Sequence, residues 1–247
     1  MNLILVRQEE LEPGDRVTLG GERARHILSV LRAAPGATVR VGLLDGPRGL
    51  ATLERIEGER VVLSCAFEGN VPEAPRMDLL LAVPRPKVLN RLWPQLAALG
   101  VGRIVLANAA KVERCYFDSH VLAPEVSTPR LIEGLQQARD TRLPEVLVRR
   151  RFRPFVEDEL DALFARGLRL VADPGGRRRI GDFFPPSGRE TPARVLLAVG
   201  PEGGWVPFEL ELLRARGFEL VGMGARALRT DTACIGLLSI VAEHLRS

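Results

Sequence analysis

The residues with the clearest chemical potential lie in one glycine-rich segment, "LAVGPEGGWVPFEL" (197–210), which begins as an apolar run. Glycine lets the backbone adopt positive φ and brings main-chain N–H and C=O groups close to a ligand. The loop 200–204 is longer than a tight turn requires. We therefore expect exposed backbone groups that recognise a polar ligand edge, such as adenine or a carboxylate.

A second segment, "LRTDTACIGLLSIV" (228–241), has the features of a helix start. Thr230 and Asp231 are residue types whose side-chain oxygens cap the free N–H groups of a helix. A helix N-terminus also favours negative charge nearby. The apolar residues that follow predict a buried helix, which either forms a subunit contact or docks on its own domain.

A third glycine segment, "GMGARA" (222–227), matches the G-x-G-x-x-A pattern of dinucleotide-binding folds. That fingerprint should open a strand–helix–strand unit. Only one helix fits between the motif and Ser247. An NAD-dependent small-molecule dehydrogenase therefore stays an alternative that rests on the glycines alone.

These segments follow apolar runs that are typical of buried parallel strands. From residue 77 onward, strand and helix patterns alternate, which predicts an α/β fold with a largely parallel sheet. Three successive strands end in loop residues, at 170–176, 196–204 and 219–233. Because ligands bind beyond the carboxyl ends of parallel strands, we expect the three ends to line one pocket.

The first third of the chain has a different pattern. Short β-rich runs at 16–20, 37–46, 49–58 and 60–67, with one helical piece at 21–33, predict a small β-barrel with a helix. The segment 68–76 contains two prolines and little hydrophobicity, and is the predicted linker. The predicted domains are therefore 1–68 and 77–247, with 69–76 as linker.

Composition narrows the function classes. Three scattered cysteines and three histidines without metal spacing predict neither a disulfide framework nor a metal site. No apolar run approaches the ~20 residues of a membrane span, and the N-terminus becomes charged after six residues, so we expect a cytoplasmic protein without a signal peptide. Arginine clusters at 148–155 and 175–180 suit either nucleic-acid binding or a solvated surface.

Two motifs together identify a family resemblance. Residues 200–205, "GPEGGW", with Glu209, and "LRTDTA" at 228–233, resemble the patterns "GPEGG(F/W)…E" and "LRTETA" of the SPOUT-type, trefoil-knotted RNA methyltransferases. Residues 23–46 are similar to the PUA-like RNA-binding domain of this family, and 96–105 and 135–146 resemble further family segments. The segments 83–92 and 108–117 depart from the family pattern.

The resemblance implies a fold, a cofactor and a substrate. It implies a C-terminal SPOUT domain with a deep trefoil knot, a PUA-like β-barrel, a homodimer, and S-adenosylmethionine as methyl donor. The implied reaction is methylation of N3 of a uridine in 16S rRNA of the small ribosomal subunit. An RNA-binding protein with an inactive knotted domain is the other alternative. The residues expected to hold the cofactor are Val171, Ala172, Val199, Gly200, Pro201, Glu202, Gly203, Gly204, Val221, Met223, Gly224, Leu228, Arg229, Thr230, Thr232 and Ala233.

Catalytic and RNA-binding roles follow from the same resemblance. Arg229, between the glycine loop and the helix, is expected to stabilise negative charge on the uridine, unless it pairs structurally with an acid such as Glu202. Glu202, Glu209, Asp231 or a water could remove the N3 proton, and we take Arg229 and Glu202 as the catalytic residues. The predicted RNA-binding residues are Arg7, Arg23, Arg25, Arg32, Lys87, Arg91, Gln137 and Arg142.

Overall fold

The chain forms two compact units. The computed structural model describes residues 2–165, 167–184, 192–224 and 226–246. The first unit comprises Met1–Ala74 and Leu131–Leu143, and the second comprises Pro75–Arg130 and Pro144–Ser247. Segment 131–143, which sequence reasoning placed in the C-terminal domain, thus clusters with the N-terminal unit.

The first unit is built on a six-stranded sheet in the order β1-β4-β5-β6-β3-β2. β1 pairs with β4 in parallel, and the other neighbours are antiparallel. Buried apolar side chains alternate with exposed ones along β4 and β5, so one face covers the core of this unit. The strands are β1 (Ile4–Val6), β2 (Leu11–Glu12), β3 (Arg16–Leu19), β4 (Thr38–Leu43), β5 (Arg48–Glu57) and β6 (Arg60–Phe67).

The helical piece of this unit is shorter than predicted. Helix α1 covers Gly21–Arg25 and continues as one π-helical turn, His26–Val30. A 3₁₀ turn, Gln8–Glu10, joins β1 to β2. Several hydrogen bonds join segment 131–143 to the rest of this unit, among them those from Thr141 Oγ1 to the carbonyl of Gly46 at 2.7 Å and from Arg142 Nε to the carbonyl of Pro72 at 2.7 Å.

The second unit contains a parallel six-stranded sheet in the order β12-β10-β11-β7-β8-β9. This confirms the predicted α/β class and parallel sheet. Every residue of β7 and β11 is buried, which explains their continuous apolar runs. The strands are β7 (Met77–Ala82), β8 (Val101–Ala107), β9 (Glu145–Arg149), β10 (Leu168–Ala172), β11 (Val195–Val199) and β12 (Phe218–Val221).

Helices connect these strands. They are α2 (Pro86–Ala98), α3 (Pro124–Ala138), α4 (Phe152–Pro154), α5 (Leu160–Leu163), α6 (Pro207–Ala215) and α7 (Thr230–Leu245). A π-helical turn, Phe155–Glu159, joins α4 to α5, and 3₁₀ turns cover Arg114–Asp118, His120–Leu122 and Ile180–Phe183. Helix α7 packs against β7 and β11 through a buried apolar face. Within the described ranges, no helix has the length and apolarity to span a membrane.

Candidate functional site

The carboxyl ends of β10, β11 and β12 meet at one cavity of the second unit. Because β10 lies between the other two strands, the loops that follow all three open on the same edge of the sheet. The cavity encloses about 130 Å³. The residues that line it and that the sequence had singled out are Ala172, Val199, Gly200, Pro201, Glu202, Gly204, Val221, Met223, Gly224, Leu228, Thr230 and Ala233.

Four of the predicted cofactor residues lie outside the lining of this cavity. Val171 is fully buried within the sheet, and Thr232 and the side chain of Arg229 are exposed. Gly203 belongs to the glycine loop but lies against the side chain of Lys111. Four further residues line the cavity: Asp173, Pro174 and Arg226 lie in the strand ends that the sequence predicted to form the pocket, and Leu237, on α7, was missed.

Two glycines let the β10 loop and the β12 loop pack backbone against backbone. A Cβ atom at Gly222 would lie 2.1 Å from the carbonyl oxygen of Gly176, and one at Gly176 would lie 2.3 Å from the carbonyl carbon of Val221. Gly222 N–H also donates to the carbonyl of Arg178 at 3.0 Å. Gly222, the first glycine of the G-x-G-x-x-A match, is thus required by packing within the protein, without any dinucleotide.

The loop after β11 is a turn closed over an aromatic side chain. Gly204 has φ of +70° and its N–H donates to the carbonyl of Pro201 at 2.8 Å. The buried indole of Trp205 packs so closely under Gly200 that a Cβ there would lie 3.1 Å from its Nε1. The ring centroids of Trp205 and Phe152 are 5.5 Å apart. This packing leaves the backbone of 200–204 facing the cavity instead of the core.

Segment 108–111 supports the same loop from the side. Lys111 Nζ donates to the carbonyl of Gly203 at 2.6 Å. The carboxylate of Glu209 is buried and accepts hydrogen bonds from Ala110 N–H at 2.7 Å and Val206 N–H at 2.9 Å. Glu209 was one of the acids considered as a base, but its two backbone donors give it a structural role. Lys111 lies in a segment that departs from the family pattern, and sequence reasoning missed its role.

The expected side-chain capping of α7 is found in part. The N-cap residue is Arg229, whose side chain makes no cap, but Asp231 Oδ1 accepts the first-turn N–H of Thr232 at 3.0 Å. Asp231 also accepts from Arg91 Nη2 at 3.0 Å and lies 3.8 Å from Arg229 Nε. The structural pairing considered for Arg229 with Glu202 is therefore formed with Asp231. The side chain of Arg229 is 75% exposed. In the sequence, Arg229 lies between two residues that line the cavity, Leu228 and Thr230.

Glu202 faces the start of another helix. Its Oε1 accepts from the backbone N–H of Arg85, which is the N-cap residue of α2, at 3.2 Å. A helix N-terminus stabilises a carboxylate through its unpaired N–H groups. This bond engages one carboxylate oxygen of an exposed side chain that also lines the cavity.

Comparisons with known proteins decide the family. A family model described as an RNA methyltransferase domain matches residues 72–242. The chain belongs to this RNA methyltransferase family. The chain is 30% identical over 249 residues to ribosomal RNA small subunit methyltransferase E of Treponema pallidum, covering 99% of this chain and 91% of that protein. It is 52% identical over 241 residues to the Synechocystis sp. protein of the same name, covering 94% of this chain and 74% of that protein.

A solved structure of similar fold is ribosomal RNA small subunit methyltransferase E of Neisseria gonorrhoeae bound to S-adenosyl methionine. Its TM-score is 0.76 at 23% identity, and the match covers 98% of this chain and 97% of that chain. These findings confirm the resemblance to SPOUT-type RNA methyltransferases. We therefore take the cavity at the three strand ends as the candidate active site.

The RNA-binding residues predicted for this methyltransferase family differ in their surroundings. Four are engaged within the protein: Arg7 pairs with Glu9, Arg23 with Glu10, Arg91 with Asp231, and Arg142 donates to the carbonyls of Pro72 and Asp45. The other four are exposed, as Arg7 and Arg91 also are, but have no ion pair among the described residues, namely Arg25, Arg32, Lys87 and Gln137. Their charged or amide groups are therefore available to a partner.

The reactivity of the cysteine thiols and the grouping of possible metal ligands also bear on the chemistry of this site. Cys65, Cys115 and Cys234 are free thiols, and burial raises the pKa of Cys234, on α7, to about 12. A thiol with that pKa is protonated at neutral pH and is a poor nucleophile. Among the residues that the structure describes, no cluster of His, Cys, Asp and Glu side chains could hold a metal ion.

Proposed function

We propose that this chain transfers a methyl group from S-adenosylmethionine to N3 of a uridine in 16S rRNA of the small ribosomal subunit. The observation that carries the proposal is the cavity formed by three glycine-containing strand ends beside an exposed arginine, Arg229. Membership in the RNA methyltransferase family and the names of its relatives support the substrate class.

The cavity suits the proposed methyl donor. Its apolar side chains, Val199, Val221 and Leu237, offer a surface for a purine ring. Main-chain groups at Gly200, Gly204 and Gly224 are close enough to the cavity to bond the polar edges of a nucleoside, and the guanidinium of Arg226 suits a carboxylate. The enclosed 130 Å³ is smaller than the roughly 300–1,000 Å³ of a typical ligand pocket, so the donor would be only partly enclosed. The reacting methyl group would then stay open to the RNA.

The residues around the cavity supply positioning and charge. When bound, S-adenosylmethionine supplies an electrophilic methyl group. Uridine N3 carries a proton that has to be removed, and a positioned base contributes about 10²–10⁴-fold to such a step. Glu202, which lines the cavity as Asp173 also does, would accept that proton, with Arg85 N–H fixing one of its oxygens. The guanidinium of Arg229 would stabilise the negative charge that develops on the uridine oxygens.

The finer architecture belongs to the same proposal. We infer that the first unit is a PUA-like RNA-binding barrel and that residues 77–247 form a SPOUT domain with a trefoil knot. We also infer a homodimer in which α7 contributes to the interface. Exposed apolar side chains on and before this helix, Ile240, Leu228 and Met223, support that interface. Sedimentation velocity should give twice the mass of one chain.

The experiment uses small ribosomal subunits from a strain that lacks this methylation. Incubation with the protein and S-adenosylmethionine should produce 3-methyluridine in 16S rRNA, detected by mass spectrometry of digested nucleosides. Ala233→Leu, which fills the cavity from α7, should abolish the product. Ala242→Leu makes the same change in size further along α7 and should leave it. A methyl group on any other atom or RNA would overturn the assignment.

A ligand panel separates this proposal from its alternatives. Thermal stability should rise with S-adenosylmethionine and S-adenosylhomocysteine and should not change with NAD. A response to NAD alone would support a dehydrogenase. Binding of RNA without any response to S-adenosylmethionine would support an RNA-binding protein with an inactive domain.

A further inference from the structure

A second and larger cavity lies within the first unit. It has a volume of about 640 Å³ and is formed by residues of β1, β4 and β5, the chain after the π-helical turn, and Arg139. We propose that this cavity binds one unpaired nucleotide of the substrate RNA. The proposal rests on the proposed function, since it names the RNA contact of the same enzyme.

The charge of this cavity is entirely positive. Three arginines line it, Arg32, Arg40 and Arg139, and no acidic residue does. Within the described residues, none of these three guanidinium groups has an ion-pair partner, whereas nearby Arg23 is paired with Glu10. Unpaired guanidinium groups bind phosphate through parallel hydrogen bonds, so the cavity is suited to a phosphate-bearing ligand.

Backbone conformation sets two of these arginines apart. Arg32 has φ of +50° and Arg139 has φ of +58°. The other described non-glycine residues with positive φ are Asp15 and Asp45, a residue type that tolerates this region. Each of them follows a helix end, Arg32 after the turn that ends at Val30 and Arg139 after α3, where a residue in the left-handed region commonly terminates the helix. The fold itself therefore explains this conformation, and both residues line the cavity.

One polar atom in the cavity has no partner. His26 lines it, and its Nε2 is buried without a hydrogen bond among the described residues. An unsatisfied buried polar atom is destabilising by about 1–3 kcal/mol. Because this atom has almost no exposed surface, the imidazole would have to turn toward the cavity before the edge of a nucleobase, which carries donors and acceptors, could bond it.

Apolar surface around His26 distinguishes a nucleotide from a simple anion. Leu31 and Leu50 line the cavity with 48% and 53% of their surface exposed. Together with the flat guanidinium groups, they offer faces on which a base can lie. The volume of about 640 Å³ falls within the range of small-ligand sites. The cavity thus has arginines for the phosphate, His26 for the edge of the base, and Leu31 and Leu50 for its face.

The test measures binding of the full chain to a 16S rRNA transcript by filter binding at several KCl concentrations. Arg40→Gln should weaken binding about tenfold and reduce the slope of log Kd against log salt by about 1. Arg60→Gln is the matched control, because Arg60 is an exposed arginine on β6 outside the cavity. This control should leave both quantities within about twofold of the unmodified chain, as expected of an arginine without an RNA contact.

The role of His26 in RNA binding is distinguished from a role in the fold by measuring both the RNA affinity and the stability of one variant. His26→Leu should weaken RNA binding at least threefold without lowering the thermal midpoint, because it removes an unsatisfied buried atom. A histidine that only supports the fold would lower the midpoint and leave the affinity of the folded protein unchanged.

The outcomes separate this proposal from the proposed function. If the unmodified chain binds the transcript and methylates small subunits while Arg40→Gln behaves like Arg60→Gln, the cavity proposal is overturned and the function stands. If Arg40→Gln loses affinity for uridine monophosphate or inorganic phosphate but not for RNA, the cavity serves a small anion and the proposal is also overturned. If the unmodified chain neither binds RNA nor transfers methyl groups, both fail.

Discussion

The ammonium group of Lys111 is hydrogen-bonded to the backbone carbonyl of Gly203 at 2.6 Å. This bond joins the segment after β8 to the glycine loop after β11, whose neighbours Glu202 and Gly204 line the cavity. A loop rich in glycine loses much conformational freedom when it is ordered. By holding the loop in place before the cofactor binds, the lysine lowers the entropy cost of ordering the loop on binding.

Lys111→Met keeps the length of the side chain and removes the donor. We expect the Kd for S-adenosylmethionine, measured by calorimetry, to rise about three- to tenfold, in line with about 1 kcal/mol for one hydrogen bond. Lys111→Arg retains a donor and should lose less. An unchanged Kd for the methionine variant would show that the loop is ordered without this bond.

Gly203 is predicted to be sensitive because of the same lysine. A Cβ at Gly203 would lie 2.7 Å from Lys111 Cδ. Gly203→Val should therefore weaken cofactor binding by at least about tenfold, which corresponds to about 1.4 kcal/mol. In a Lys111→Ala background the contact with Cδ is removed and only the one with Lys111 Cβ, at 3.3 Å, remains, so the same change should cost less, giving a coupling in a double-mutant cycle. Equal losses of cofactor affinity in both backgrounds would show that Gly203→Val acts through another part of the loop and not through Lys111.

Arg229 is expected to act on catalysis more than on cofactor binding. Its side chain is largely exposed and lies outside the cavity lining. Arg229→Ala should lower the methylation rate about 10²–10³-fold, the usual loss for one charge-stabilising group, and leave the Kd for S-adenosylmethionine within a few-fold. Arg246→Ala, at the other end of α7, is the control, since Arg246 is exposed, lies outside the cavity lining and pairs with Glu243. Turnover equal to that of the control would rule the role out.

Glu209 is expected to support the fold instead of accepting the proton. Its carboxylate is buried and receives the N–H groups of Ala110 and Val206. Glu209→Ala leaves both donors unpaired and should lower the free energy of unfolding by about 2–4 kcal/mol in urea titrations. Glu209→Gln keeps one acceptor and should be less destabilised. A stable but inactive alanine variant with an altered pH–rate profile would instead identify Glu209 as the base.

Sequence patterns predicted the cavity but not the side chains that hold its loops. The convergence of the three strand ends follows from parallel strands sharing one carboxyl edge, a rule that needs only the order of apolar runs and glycines. The contact of Lys111 with Gly203 joins residues 92 positions apart, and that of Arg91 with Asp231 joins residues 140 apart. The capping rule considers only near neighbours, so it predicts the bond of Asp231 to Thr232 N–H and not its pairing with Arg91.

In the first unit, the same limit applies to short elements. β1 has only three residues, all buried, so it shows no alternation that would mark it as a strand. It pairs in parallel with β4, more than 30 residues away in the sequence. Thr141 likewise joins this unit through a bond to Gly46, 95 residues away. The composition does not change near residue 131, so the sequence does not predict that contact.

The ion pair between Glu10 and Arg23 should make the stability of the protein depend on pH. The hydrogen bond from the Arg23 guanidinium, against the opposing effect of burial, holds the pKa of the Glu10 carboxyl below its ordinary value of 4.5. A carboxyl whose pKa is lowered by folding stabilises the folded state above its unfolded pKa, and that contribution disappears as the pH falls through the folded value. Glu10→Gln should therefore be less stable by about 1–2 kcal/mol at pH 7, as expected for charge-assisted hydrogen bonds that remain partly exposed.

The deficit should begin to shrink below pH 4.5, where the unfolded chain starts to protonate this carboxyl, and should disappear as the pH falls through the lower pKa of the folded state. Urea unfolding at pH 7, at pH 5 and below pH 4 measures the difference directly. Glu9→Gln is the matched control, because Glu9 is mostly exposed and lies 3.8 Å from Arg7. It removes the same charge and should cost less than about 0.5 kcal/mol throughout. A deficit for Glu10→Gln that is as large below pH 4 as at pH 7 would mean that packing, and not the charge of the pair, stabilises this turn.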